Sequence, residues 1–262
     1  MKKHLKILFC YFKLNLASAM EYRASFFSQA FGMALSNSSF IFFWWIAFSQ
    51  IGGTIAGYSF NDVIFIWAVT STGYGLSKIF FANASSISLL IATGELDTYL
   101  LQPCNILLSV ISSKTTLTAY GDAVYGIVLM AICYTKDLKA WLWFFIGLII
   151  YAILLTAITV FTHTLSFFFG DASTLGDLSI QFSINFAIYP EKIYAPIIRT
   201  LMYSLVPVGV AVHIPLSLYS NFSFETAIAA ILILIGYCLF TYWFFYKGLE
   251  KYESGNAIAT RM

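Results

Sequence analysis

Long apolar runs separated by brief polar breaks make up most of the chain. A membrane-spanning helix needs roughly 20 mostly apolar residues, and such runs fall at about 25–50, 60–84, 115–134, 141–169, 193–213 and 225–247. They predict six spans. The start of the chain has a different pattern. Leu5, Leu8, Phe9, Phe12, Leu16 and Ala19 recur at helical spacing, with Lys6, Lys13 and Asn15 off that stripe, which predicts an amphipathic helix over 3–22 lying in the membrane interface. The lysines and Ala17-Ser18-Ala19 imitate a secretory leader, but only residues 7–12 run uninterrupted between Lys6 and Lys13, too short for a leader's apolar core of about 7–15 residues.

The two long polar connections, 85–114 and 170–192, follow the second and fourth spans. With six spans, both share one side with the two termini. Lys2, Lys3, Lys6, Lys13, Arg23, Lys78, Lys114, Lys192, Arg199, Lys247, Lys251 and Arg261 then lie on that side, leaving Lys136 and Lys139 opposite. The positive-inside rule makes the shared side cytoplasmic. A seventh span within 178–189 would separate the basic termini, so this segment reads as an interfacial helix or a cytoplasmic extension of the fifth span. The expected organisation is an interfacial segment (1–24), one membrane domain (25–247) and a cytoplasmic tail (248–262).

Composition excludes a soluble domain: 60% of the 262 residues are hydrophobic and 10% charged, with mean hydropathy +0.82. A net charge of only +2 gives no basis for a nucleic-acid partner. Cys10, Cys104, Cys133 and Cys238 stand far apart, without metal-ligand spacing. There is no GxxxxGK[ST] phosphate loop, the nearest string being GYGLSK at 73–78, and neither HExxH nor GxSxG occurs. His4, His163 and His213 are scattered. The chain reads as a non-enzyme that holds no cofactor or metal of its own.

One segment is unlike its surroundings. In GELDTYLLQP (94–103), Gly94 and Pro103 punctuate a short helix of about two turns, with Glu95 and Asp97 towards one end, Leu96 between them, and Tyr99, Leu100 and Leu101 at the other. Apolar groups on a cytoplasmic loop call for a protein or membrane surface to cover them. The segment reads equally as a short re-entry helix into the third span.

EYR (21–23), GELDTYLLQPCN (94–105), YPEKIY (189–194) and LVPVGVAVHIP (205–215) together resemble the permease subunit of ABC-2 type ABC transporters, in a six-span, multidrug-type exporter branch. The resemblance covers nearly the whole chain in order, and the 94–103 segment is its most specific part. It implies an all-α integral membrane fold of six spans, an N-terminal interfacial helix, and a cytoplasmic coupling helix that docks on a separate ABC ATPase subunit. By that resemblance Gly94, Glu95, Leu96, Asp97, Tyr99, Leu100, Leu101 and Pro103 form the coupling helix, with Tyr99, Leu100 and Leu101 as apolar anchor. Gln102 departs from the basic or variable residue expected there.

Several polar groups lie inside the spans. Ser28, Gly32 and Ser36 form a small-residue ridge, either chance or a contact between permease halves, and the resemblance favours the contact. Thr156, Thr159, His163 and Ser166 share a face of the fourth span. They read as pathway groups or as hydroxyls bonded to their own helix. Asp122, alone in TLTAYGDAVYGIVLM, must be paired, protonated, facing water or shallow. Trp44, Trp45, Trp141 and Trp143 fit an interfacial belt. Pro207 and 213–223 predict a broken helix and outer loop, where the resemblance implies short re-entrant elements. The expected function is half of a dimeric exporter in a bacterial plasma (inner) membrane, both termini cytoplasmic. Its partners would be membrane lipid, an identical or paralogous second permease, and two ATPase copies carrying ATP and Mg. The alternatives are an ATP-independent carrier or channel with Asp122 and His163 as ion or proton relay, or a scaffold that recruits a soluble protein.

Overall fold

The computed structural model describes residues 2–253, and these are all-helical. The chain forms α1 (Lys2–Ala19), α2 (Arg23–Ile51) and α3 (Phe60–Phe81), then a tight turn of 3-10 helix, Ala82–Ser86. A collar of short helices follows: α4 (Ile87–Thr93), α5 (Asp97–Leu100) and α6 (Ile106–Ser112). The remainder is α7 (Ala119–Cys133), α8 (Leu138–Thr164), α9 (Ser166–Phe169), α10 (Ser173–Ile188), α11 (Pro196–Tyr203), α12 (Val208–Ser220) and α13 (Phe224–Leu249). The far part of the expected tail, with Arg261, lies outside the described residues, as does the side chain of Leu5.

Local chemistry sets the boundaries. Ser59 starts α3 with a reciprocal cap: its hydroxyl accepts from Asp62 N at 3.2 Å and its own N–H donates to Asp62 Oδ2 at 2.8 Å. Asn105 caps α6 through Leu108 N (2.9 Å) and Asp137 caps α8 through Ala140 N (3.0 Å). Gly52, at φ 68°, ends α2 in the left-handed conformation.

Two ends of the bundle can be distinguished. The near end carries α1, the collar and the close of α13; Asn15 of α1 donates to the Ser112 carbonyl at 3.1 Å. The far end carries the α2–α3, α7–α8 and α12–α13 turns; Tyr134 donates to the Asn61 carbonyl at 2.9 Å and Tyr219 to Asp137 Oδ2 at 2.6 Å. The centre is α3 packed on α7 and α8. α3 meets α7 almost backbone to backbone, since a Cβ on Gly126 would strike the Ala68 carbonyl and the Thr72 hydroxyl. One large apolar core fills the middle and far end, and a second, around Ile87, Leu96, Val110 and Phe245, lies under the collar.

Among the described residues four helical segments are long and apolar enough to cross a membrane: Arg23–Ile51, Phe60–Thr93, Leu138–Phe169 and Phe224–Leu249. The third expected span is the shorter apolar helix α7. The fifth expected span, 193–213, is not one helix. It is divided between α11 and α12, which meet at 97°, because Pro207 has no N–H to continue a helix. The stretch expected as outer loop is also corrected: residues 213–220 are helical and belong to α12.

The largest correction concerns 178–189, which is not an extension of the next helix. All but its last residue lies within α10, which runs back beside α8. Near its start Gly176 packs on the His163 ring and Ser179 meets Thr162 at 3.0 Å. Just past its end Tyr189 packs on Phe40 and Trp44, and Lys192 lies over the Tyr58 ring at 5.5 Å. Lys192 is therefore at the far end, not with α1. The sequence pattern concealed this because both faces of α10 are mixed: Gly176 and Ser183 are buried with Ile180, Ala187 and Ile188, while Leu175, Leu178 and Phe182 face outwards with Asp177 and Gln181. α1 carries a smaller correction. Asn15, expected off the stripe, belongs to its docking face, and Phe9 is exposed beneath Lys13.

Candidate functional site

The 94–103 segment projects from the near-end collar. Gly94 closes α4 at φ 76°, a conformation that a Cβ would strain. α5 is a single turn rather than the two expected. The segment divides by face. Leu96 is wholly buried in the near-end core. Tyr99, expected as an outward anchor, instead turns inward, its hydroxyl 2.9 Å from Ser113 Oγ. Asn83, itself buried, donates to Ser113 Oγ at 2.7 Å and to the Val110 carbonyl at 2.9 Å. The apolar knob left outside is Leu100 with Leu101, the latter 87% exposed, and Glu95 and Thr98 are exposed beside it. Tyr252 approaches Asp97, and burial first, then the hydrogen bond and charge of Asp97, push the Tyr252 hydroxyl up to about 12. Gln102, the departure from pattern, accepts from the Tyr11 hydroxyl at 3.2 Å and so ties the segment to α1.

On α8 the hydroxyls bond to their own helix, and that of Thr156 also meets the Ser77 hydroxyl of α3 at 2.9 Å. Thr156 and Thr159 donate to carbonyls of their own helix, Ala152 at 2.7 Å and Leu155 at 2.8 Å. Ser166 caps the turn into α10 by accepting from Ala172 N at 3.0 Å. His163 is fully buried, with Nδ1 2.8 Å from Ser88 Oγ of α4 and its ring against Gly176 of α10. It clasps three helices together.

Asp122 has different surroundings. It is 3% exposed; Oδ1 accepts from Asn37 Nδ2 of α2 at 2.7 Å, and Oδ2 has no hydrogen-bond partner. It borders a cavity of about 240 Å³ shared by four helices: Met33 and Asn37 of α2, Trp67 and Tyr74 of α3, and Gln181 of α10 also line it. His163 does not line this cavity. Neither Asn37 nor Gln181 was expected there; the available signal was an amide in an apolar run on each helix.

Ser28, Gly32 and Ser36 all lie on the outward face of α2, and nothing stands within 4 Å of where a Gly32 Cβ would be. Trp44, expected at the interface, is buried against Phe48 and Tyr189, while Trp45 is exposed. At the far end Asp62, Glu191, Lys192 and His213 edge a polar cleft of about 420 Å³, and Glu191 accepts from the Tyr203 hydroxyl. Burial, then the charges of Glu191 and Asp62, raise the Tyr58 hydroxyl pKa above its ordinary value.

Long apolar helices held together by buried polar clasps, with a polar-edged collar at one end, define an integral membrane protein. The family model described as ABC-2 family transporter protein matches residues 35–256. The chain belongs to that family, and it is an ABC-2 type transporter permease. No curated protein and no solved structure matches it.

Proposed function

We propose that the chain is the membrane half of an ATP-driven exporter, drawing its energy from a separate ATPase that docks on the 94–103 turn. Besides the family, the observation that carries this reading is the division of that turn: Leu96 and Tyr99 fasten it inward while Leu100, Leu101 and Glu95 are presented outward. A surface of this kind suits an apolar socket with a basic rim. ATP and Mg belong to the ATPase, two copies of which serve a dimer of permeases.

The six spans of this reading are α2, α3, α7, α8, α10 and α13. α11 and α12 form a bent pair that enters from the far end and returns to it, a geometry tolerated at membrane depth where protein surrounds the break. Lys192 and Arg199 move to the far end with α10, so nine of the thirteen basic residues among those described stay at the near end. The near end is therefore cytoplasmic. Ser28, Gly32 and Ser36 contribute to the contact between permeases.

The test is purification of the tagged chain from its native membrane in mild detergent, with mass spectrometry of what accompanies it. A stoichiometric Walker-motif ATPase is the expected companion; a chain that arrives alone in repeated gentle preparations overturns the reading. Glu95→Lys combined with Leu101→Asp, both at exposed positions, should lower the co-purified ATPase at least tenfold without changing the melting temperature. An unchanged yield would reject docking through this turn.

A further inference from the structure

The cavity beside Asp122 has a chemistry that the fold does not use. Three donors around the carboxyl are already committed: Asn37 to Oδ1, the Ser71 hydroxyl to the Asp122 carbonyl at 2.8 Å, and the Thr70 hydroxyl to the Ile66 carbonyl at 2.9 Å. Oδ2 is left without a partner at a site 3% exposed. Among the described residues no lysine or arginine comes within 4 Å of Asp122. Lys78, the one lysine on α3, donates to Ser85 at 2.6 Å. A buried carboxyl with one bare oxygen is neutralised by a proton until a positive charge is brought to it, and an incoming cation can take that proton's place.

The walls suit an organic cation rather than a metal ion. The Trp67 ring is stacked on Phe40 at 4.1 Å and borders the cavity together with Tyr74. Aromatic rings attract quaternary or protonated amines. Asp122 is the one carboxylate on the cavity wall, and among the described residues no cluster of His, Cys, Asp or Glu gathers there as a hard or borderline metal ion would want. An apolar cavity of about 150 Å³ holds benzene, so about 240 Å³ has room for a single ring bearing an ammonium group.

There is also a way in. Asp177, Gln181 and Asn185 are all exposed and lie one turn apart on α10. Gln181 lines the cavity, and Asp177 is one turn nearer the near end. An acid and two amides exposed in a row on a membrane helix are costly against lipid and natural along a wetted lane.

We propose that this cavity between α2, α3, α7 and α10 binds a small organic cation, with Asp122 as its counter-charge, Trp67 and Tyr74 as its aromatic walls, and the Asp177–Gln181 lane as its approach. The site names a substrate class for the exporter, and it rests on the exporter reading only for the transport step that comes after binding.

The probe is phenyltrimethylammonium, set against its neutral isostere tert-butylbenzene, in equilibrium dialysis with the full chain in lipid nanodiscs. The wild type should bind the ammonium ion saturably and at least tenfold more tightly than the isostere, a comparison that needs no variant. Asp122→Asn keeps an acceptor for Asn37 and should erase that preference while leaving tert-butylbenzene unaffected. Trp67→Leu should weaken the ammonium ion about three- to tenfold. Equal affinity for ion and isostere in the wild type, or an undiminished preference in Asp122→Asn, overturns the proposal. Neither result depends on an ATPase, so a failed cation site and a failed exporter assignment are told apart by the co-purification experiment.

Discussion

His163 and Asp122 are both buried ionisable groups in membrane helices, yet their partners assign them different work. His163 has Ser88 on one side and Gly176 on the other, so His163→Ala removes a buried hydrogen bond and opens a gap between three helices. The expected cost is about 2–4 kcal/mol of stability, read as a fall in the melting temperature of the detergent-solubilised chain. Asp137 makes a second prediction, about pH. The Tyr219 hydrogen bond first, then the Ala140 N–H, hold its carboxyl below the ordinary carboxylate range. A depressed folded-state pKa gives stability that is present above the unfolded value of about 3.9 and lost as pH falls through the folded value. Asp137→Ala should therefore cost about 1–2 kcal/mol at neutral pH, and its difference from wild type should shrink as thermal melts are taken below pH 4. Asp122 was legible as an anomaly because it is the lone acid in an apolar run. Asn37 was not, because its partner lies 85 residues away and an amide in an apolar helix carries no mark of which neighbour it serves.

Glycines separate one helix's role from another's. Gly126 lies where α7 touches α3, and a larger side chain there would collide with the Ala68 carbonyl, so Gly126→Leu should abolish recovery of folded protein. Gly32 on α2 faces open space. Gly32→Leu should leave the melting temperature unchanged and lower the dimer fraction by light scattering; an unaltered dimer would place the permease contact elsewhere. α10 is the element that hydropathy concealed. Its inward face mixes Gly176 and Ser183 with Ile180, Ala187 and Ile188, its outward face mixes Leu178 and Phe182 with Asp177, Gln181 and Asn185, and its 16 residues are fewer than the roughly 20 that a span's pattern needs. The runs of α2, α3, α8 and α13 were legible because each belongs to a segment of 26 residues or more with few charges. In a background with the native cysteines replaced, Lys192→Cys should react with an impermeant maleimide from the same side of the membrane as Gly57→Cys, and from the side opposite Glu95→Cys. Labelling of Lys192→Cys with Glu95→Cys would reject a crossing by α10.

Over the whole molecule, burial grades from centre to edge. The most apolar stretch of the Leu138–Phe169 segment is 67% buried within the chain, whereas those of α2 and α13 are each 17% buried. Both outer helices present ranks of Phe, Leu and Ile, including Phe27, Phe31 and Leu35 on α2 and Leu232 and Leu239 on α13, surfaces that lipid or a second permease would cover. At the near end the fastening of the 94–103 turn has a mechanical consequence. Leu101 stands outside, but the turn that carries it is pinned through Leu96 to the near-end core and through Tyr99 and Ser113 to Asn83, directly beneath α3. A load applied to Leu101 thus has no slack loop in which to dissipate. It acts as torque on a short rigid arm, and the first long member to feel it is α3, the same helix that carries Trp67 and Tyr74 on the wall of the Asp122 cavity.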